Sequence, residues 1–431
     1  TRENQEDRRV TELQEAGVSA DEIYTPEFST DPYPTYHRLR EQAPVCPVRA
    51  PRFDSYLITR YDDARAALSD PRLSKDLYGG DEIGKRIFGP NSAAINKNML
   101  NSDPPEHTRL RRLVAQAFTP HRIEALRPRI AAVVDGLVDG LVRDGAGAAD
   151  LIPGFALPLP VTVICDLLGV PRADRERFTV ATQVIRTAGT AGRSPLEDRE
   201  RIQAAQADVF EYLTRFVAYK RTEPGADLMS ELIAARDDDD ALSERELVST
   251  VFLLLFAGHQ TTSDFVGNAV LALLTHPDQL ARLRADPALV PAAVEELLRL
   301  DGSVPVASPR VATEDVEYGG VTIPRGAIVT VVLNAANHDP EYFPDPEGIH
   351  IDRVGRTHIA FGFGVHYCLG VSLARAEAQI ALETLLRRLP GLRLAVPVAE
   401  IRHLPGASPF RGLLGLPVRF DTDNTDTEDS S

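Results

Sequence analysis

The chain has 431 residues, of which 43% are hydrophobic and 26% charged, and its formal net charge is −16. That balance belongs to a globular protein with a sizeable core, and the acidic excess argues against non-specific binding to nucleic acid. No apolar run approaches the ~20 residues of a bilayer-spanning helix, the first ten residues are polar, and three distant cysteines fit a reducing, cytoplasmic setting.

Residues 1–22 read as a polar arm, 23–420 as one domain without a linker or internal repeat, and 421–431 as a disordered acidic tail. A helix is predicted over Asp31–Arg40, followed by two short strands, Val45–Val48 and Ser55–Thr59, in a hairpin-like start, and by a helix over Tyr61–Leu68. Ser74–Leu100 has no sustained period, and a loop of that length inside a domain is usually functional or mobile. The next helix opens at Asp103-Pro104-Pro105-Glu106, where Asp103 is placed to cap, proline suits the first turn and Glu106 complements the dipole. His107 and Arg111 stand four apart and share a face of it, while Arg109 and Arg112 are expected at solvent. Helical periods dominate to Thr222, with Cys165 as core filling. The small residues of Ala188–Pro195 read as a lid hinge or a plain connector.

Ser243-Glu244-Arg245-Glu246 has the pattern of a capping box and starts a helix of about thirty residues, ~45 Å long. Its apolar stretch Val251–Ala257 predicts a path through the core. Ala257-Gly258-His259-Gln260-Thr261-Thr262 then breaks the local rules, because glycine is poor in a helix interior and threonine can bond the carbonyl one turn back. Phe265–Leu274 resumes the apolar pattern, so the helix is expected to continue through a local distortion. Glu296 and Arg299, three apart, can pair on a surface or in a core. Val304–Val311 and Val316–Val332 alternate and should form a small sheet that carries Arg310.

Phe361-Gly362-Phe363-Gly364-Val365-His366-Tyr367-Cys368-Leu369-Gly370 sets one cysteine in a glycine-rich loop ahead of a helical run, Val371–Leu389. The glycines permit close backbone approach, and free N–H groups at a helix start favour a thiolate. An anionic sulfur presented in that way suits an axial haem-iron ligand.

This ten-residue pattern resembles the cysteine-ligand loop of cytochromes P450, and five motifs follow the family's order between about residues 30 and 420. The resemblance implies a mainly α fold with small β-sheets, and haem b between the long helix and the Cys368 loop. It implies Cys368 as the iron ligand, and His107, Arg111, Arg310 and His366 on the haem propionates. Phe361, Gly362 and Gly370 would belong to the haem-binding loop. Ala257, Gly258, Gln260 and Thr261 would form the oxygen groove, with Gln260 where the family usually has an acid. Glu296, Arg299 and Arg353 would make a buried ionic cluster, and the tip Ala407–Phe410 would reach toward the active site. The implied reaction inserts one oxygen atom of O2 into an apolar C–H or C=C bond of a natural product, of polyketide macrolide type. Electrons would come from NAD(P)H through a separate ferredoxin and ferredoxin reductase, docking on a basic patch with Arg109 and Arg112, and the protein is expected as a monomer. A peroxide-using or isomerising haem-thiolate enzyme, or a non-catalytic haem sensor, are the alternatives.

Overall fold

The structure is a computed structural model that describes residues 22, 25–48, 55–77, 97–186, 195–234, 242–405 and 410–422. The expected arm (residues 1–21), most of the 74–100 loop, the 188–194 connector, residues 407–409 and the tail from 423 lie outside the described residues. The chain begins with helices α1 (Pro26–Thr30) and α2 (Tyr33–Gln42), strands β1 (Val45–Val48) and β2 (Ser55–Ile58), α3 (Tyr61–Ser69) and β3 (Leu73–Ser74). Next come α4 (Glu106–Ala115), α5 (Pro120–Gly145), β4 (Ala148–Asp150), α6 (Pro158–Leu168), α7 (Arg175–Arg186), α8 (Pro195–Thr222) and α9 (Leu228–Ala234). The long α10 (Glu244–Thr275) is followed by α11 (Pro277–Ala285), α12 (Val290–Asp301), β5 (Arg310–Ala312), β6 (Val316–Tyr318), β7 (Val321–Ile323) and β8 (Ile328–Val331). Last are α13 (Leu333–Asn337), α14 (Val371–Arg388), β9 (Arg393–Leu394) and β10 (Pro417–Arg419).

The main sheet has the order β1-β2-β8-β5-β3, with β2 and β8 parallel and the other pairs antiparallel. Its apolar face packs on Tyr61, Leu68 and Phe343. The larger core joins α5, α6, α10, α12 and α14. None of the described helices is long and apolar enough to cross a membrane.

α10 is the axis of this core. Ser243 and Glu246 close a reciprocal capping box at its start, and every residue from Thr262 to Val270 is buried. The polar interior does not interrupt the helix. Thr261 Oγ1 donates to Ala257 O at 2.8 Å and Thr262 Oγ1 to Gly258 O at 3.2 Å, so both hydroxyls are satisfied within one turn. The start of α4 differs from the sequence reading. Pro105 is its N-cap, without a side-chain cap. The Asp103 carboxylate instead accepts from Lys75 N at 2.9 Å and from Ser74 Oγ, fastening α4 to β3.

Candidate functional site

The cysteine loop takes its shape from two glycines. Gly362 and Gly364 have φ of +74° and +75°, where side chains with a Cβ are strained. A Cβ at position 364 would also come within 2.9 Å of Leu68 O in α3. Backbone bonds close the turns, from Gly362 N to Ile359 O at 2.9 Å and from Cys368 N to Phe361 O at 3.0 Å. The Arg375 guanidinium lies 5.1 Å from the Phe361 ring centroid and holds it by a cation–π contact. Cys368 stands three residues ahead of α14, whose N-cap is Gly370. Burial pushes its thiol pKa up, whereas the Gly370 N–H and the cations Arg111 and Arg375 pull it down. Burial therefore outweighs the helix-start effect expected from the sequence.

The loop forms one wall of an apolar cavity of about 1620 Å³, counted out to its mouth, and Cys368, Phe361, Gly362 and Gly370 face it. α10 forms the opposite wall with Ala257, Gly258 and Thr261. His107, Arg111, Arg310 and His366 reach the same cavity from α4, β5 and the loop. The His107 and His366 rings lie 4.3 Å apart. Neither ring nitrogen of the buried His107 has a partner among the described residues, nor do His366 Nε2 and Arg310 Nε. Arg111 donates to Tyr367 O at 2.7 Å and Arg310 to Ala67 O at 3.3 Å. Burial lowers the pKa of His107, Arg111 and Arg310, and with the neighbouring cations takes His366 to about 2. Each buried donor left without an acceptor costs about 1–3 kcal/mol, and more when charged. Such a set of donors fits an anionic guest, and the two carboxylates of a haem satisfy that requirement.

Gln260 does not face the cavity. It is 2% exposed, and its Nε2 donates to Asp264 Oδ2 at 2.5 Å, one helical turn on. Its neighbour His259 is bonded to Leu255 O and to Thr182 Oγ1, which ties α10 to α7. Glu296, Arg299 and Arg353 meet beneath the loop. Arg299 makes a two-point contact with Glu296 at 2.8 Å, Arg353 Nε approaches the same carboxylate at 2.9 Å, and His350 N donates to it at 3.0 Å. Arg299 also donates to the carbonyls of Asn337, Pro346 and Gly348. Arg109 is not at solvent as expected: it pairs with Glu106 at 2.7 Å and with Glu246. Arg112 is exposed.

One cavity residue and one buried acid escaped the sequence reading. Lys75 is 2% exposed, lines the cavity, and donates to Ser308 O at 3.0 Å, to Pro309 O at 3.2 Å and to Ser308 Oγ. Burial and the nearby Arg310 push its ammonium pKa well below the ordinary lysine value. Its signal was rarity, since only four residues of the chain are lysine. Glu377 is buried in α14 on the stripe of Leu373, Ala376, Ile380 and Ala381. An acid at that spacing among apolar residues was the available sign.

Comparison with known proteins agrees with this arrangement. The profile described as Cytochrome P450 matches residues 44–390. The cytochrome P450 monooxygenase PikC of Streptomyces venezuelae is 46% identical over 396 residues, 91% of this chain and 92% of that protein. The mycinamicin IV hydroxylase/epoxidase of Micromonospora griseorubida is 43% identical, covering 89% of this chain and 94% of that protein. The crystal structure of the myxobacterial cytochrome P450 CYP267B1 in complex with myristic acid superposes with a TM-score of 0.86 at 40% identity, covering 93% of this chain and 99% of that one. With its helical core, its small sheets and a match across most of its length, the chain belongs to the cytochrome P450 family and is a haem-iron monooxygenase.

Proposed function

We propose that Cys368 is the axial ligand of the haem iron, that His107, Arg111, Arg310 and His366 hold the propionates, and that Ala257, Gly258 and Thr261 form the oxygen groove of a polyketide-tailoring monooxygenase. One observation carries this reading: a single cysteine, four unsatisfied or half-satisfied nitrogen-bearing side chains and the α10 groove converge on one apolar cavity. The haem, when bound, supplies dioxygen activation with a thiolate ligand. The chain supplies binding, orientation and a dry wall. Thr261 carries the exchangeable hydroxyl nearest the groove, held at rest by Ala257 O. Lys75 adds a buried amine donor on the propionate side.

No carboxylate lines the cavity among the described residues, and its walls include Leu100, Leu253, Val304 and Phe265. That surface suits a bulky, uncharged, largely apolar molecule. The relative that acts on mycinamicin IV supports a macrolide as the substrate class.

Electrons are proposed to arrive from NAD(P)H through a ferredoxin and its reductase. The outer side of the cysteine loop offers a docking face. Phe363 and Val365 are 36% and 53% exposed there, and Arg65 stacks 4.4 Å from the Phe363 ring.

The test is spectroscopic. The reduced carbonyl complex should show the red-shifted Soret band of a thiolate ligand, and Cys368→His should lose it, while Cys46→Ser and Cys165→Ser keep it. Survival of the band in Cys368→His would sink the assignment. Product formation with NAD(P)H, ferredoxin and reductase separates this reading from a peroxide-driven enzyme, and any oxygenated product excludes a mere sensor.

A further inference from the structure

We propose that Asp264 is the proton reserve of the oxygen groove, replacing the acid absent at position 260 and working through the Gln260 side chain. The two residues are one turn apart on α10, and both are buried, at 2% and 1% exposure. Gln260 Nε2 donates to Asp264 Oδ2 at 2.5 Å. A carboxyl oxygen that carries no proton can only accept, so Oδ2 fixes the direction of the amide whether or not Oδ1 is protonated. Nε2 turns to Asp264, and Gln260 Oε1 is left as a buried acceptor with no partner among the described residues. Such an acceptor calls for a donor, and a water molecule is the smallest that fits. Thr261, the next residue, lines the cavity, with its hydroxyl donating to Ala257 O.

Asp264 is also held from outside the helix. A Cβ on Gly412 would fall 2.2 Å from Asp264 Oδ1, so the chain at 412 sets where the carboxyl sits. Packing alone could explain that closeness. It does not account for an amide directed by a carboxylate and left with an open acceptor one residue from the cavity-lining Thr261.

The balance of the reaction gives the carboxyl its task. One dioxygen takes two electrons from NAD(P)H and two protons; one oxygen atom enters the substrate and the other leaves as water. Glutamine cannot ionise near neutral pH and cannot be the reserve. A carboxyl protonated at Oδ1, with Oδ2 still accepting from Gln260, can release that proton to water and regain it by the same route, and the water at Gln260 Oε1 is the proposed link to Thr261.

This inference rests on the oxygen-groove reading above. The test compares haem-loaded wild type, Asp264→Asn, Gln260→Glu, the Gln260→Glu/Asp264→Asn double variant and Gly412→Ala. A thiolate-type carbonyl band in all five shows that the ligand assignment stands whatever follows. The first readout is peroxide released per NAD(P)H in ferredoxin-driven turnover, with mycinamicin IV as trial substrate and without it. The second is the infrared stretch of carbon monoxide bound to the reduced protein, which senses groove hydrogen bonds independently of turnover. Asp264→Asn should raise the peroxide fraction by about threefold or more and shift the stretch. The double variant, with its acid moved beside Thr261, should return the fraction to near the wild-type value. Gly412→Ala keeps the carboxyl but displaces it and should resemble Asp264→Asn, which decides the matter if Asp264→Asn fails to fold. An unchanged peroxide fraction and stretch in Asp264→Asn and Gly412→Ala, or a double variant as uncoupled as Asp264→Asn, would overturn the proposal.

Discussion

Glu377 is a carboxyl that folding keeps protonated. It is buried, its Oε2 has no partner among the described residues, and burial pushes its pKa up to about 8. In the unfolded chain it would titrate at about 4.3. Between those values the folded state holds the extra proton, so this group's contribution is most favourable below the unfolded pKa and is lost as pH rises toward about 8. The loss should reach the order of a few kcal/mol, and Glu377→Gln should flatten it. Urea unfolding of the two proteins at several pH values checks this; parallel curves would refute it. Arg310 calls for a two-sided test. Arg310→Ala should weaken haem retention, because a propionate loses its partner, by about 3–5 kcal/mol if the pair is fully buried. The same change should leave the haem-free chain as stable or more so, since it removes a buried cation beside Lys75. Haem transfer to an acceptor protein and thermal unfolding read the two effects separately. His107, Arg111, Arg310, His366 and Cys368 were legible because their residue types and spacings lie within short stretches. Lys75 was not, because its acceptors lie 233 and 234 residues away and no local pattern encodes them.

Along α10, two glycines of the helix interior face different surroundings. A Cβ at Gly258 would sit 3.7 Å from Ile164, an ordinary contact, while one at Gly267 would come within 2.7 Å of Ile152 Cδ1. Gly258→Ala should therefore gain about 1 kcal/mol of helix stability but place a methyl group in the groove and lower product yield. Gly267→Ala should lose stability by about 1–3 kcal/mol, because overpacking exceeds the propensity gain. Calorimetry on the pair, with product yield for the first, is the check; the same sign for both would contradict this packing. The start of α10 was readable from Ser243 and Glu246, because a capping box is local. The start of α4 was misread for the converse reason: Asp103 has the chemistry of a cap, and a distant strand claims its carboxylate.

For the molecule as a whole, the sequence indicated helix dominance and the small sheets, but not the order in which strands assemble. β8 lies beside β2 in parallel although Tyr56 and its partner Val329 are 273 positions apart in the chain, and no periodicity carries such a pairing. The docking face is likewise a property of the assembled surface. Arg109, half-buried and held in ion pairs, leaves the proposed docking role to Arg112 and the Phe363–Val365 loop. Arg112→Glu should slow reduction by an acidic ferredoxin, and the wild-type rate should fall with ionic strength. Salt-independent reduction would place the contact elsewhere.

The burial of α10 on every side also determines how the protein breathes. A helix with one face at solvent can exchange its amide protons through local opening, but one enclosed from Thr262 to Val270 has no nearby water to meet. Those amides should exchange with deuterium only when the entire molecule unfolds, at the rate set by global stability. The proposed oxygen groove at Ala257, Gly258 and Thr261 adjoins this enclosed segment, so the motion that admits a substrate is expected in the helices around it.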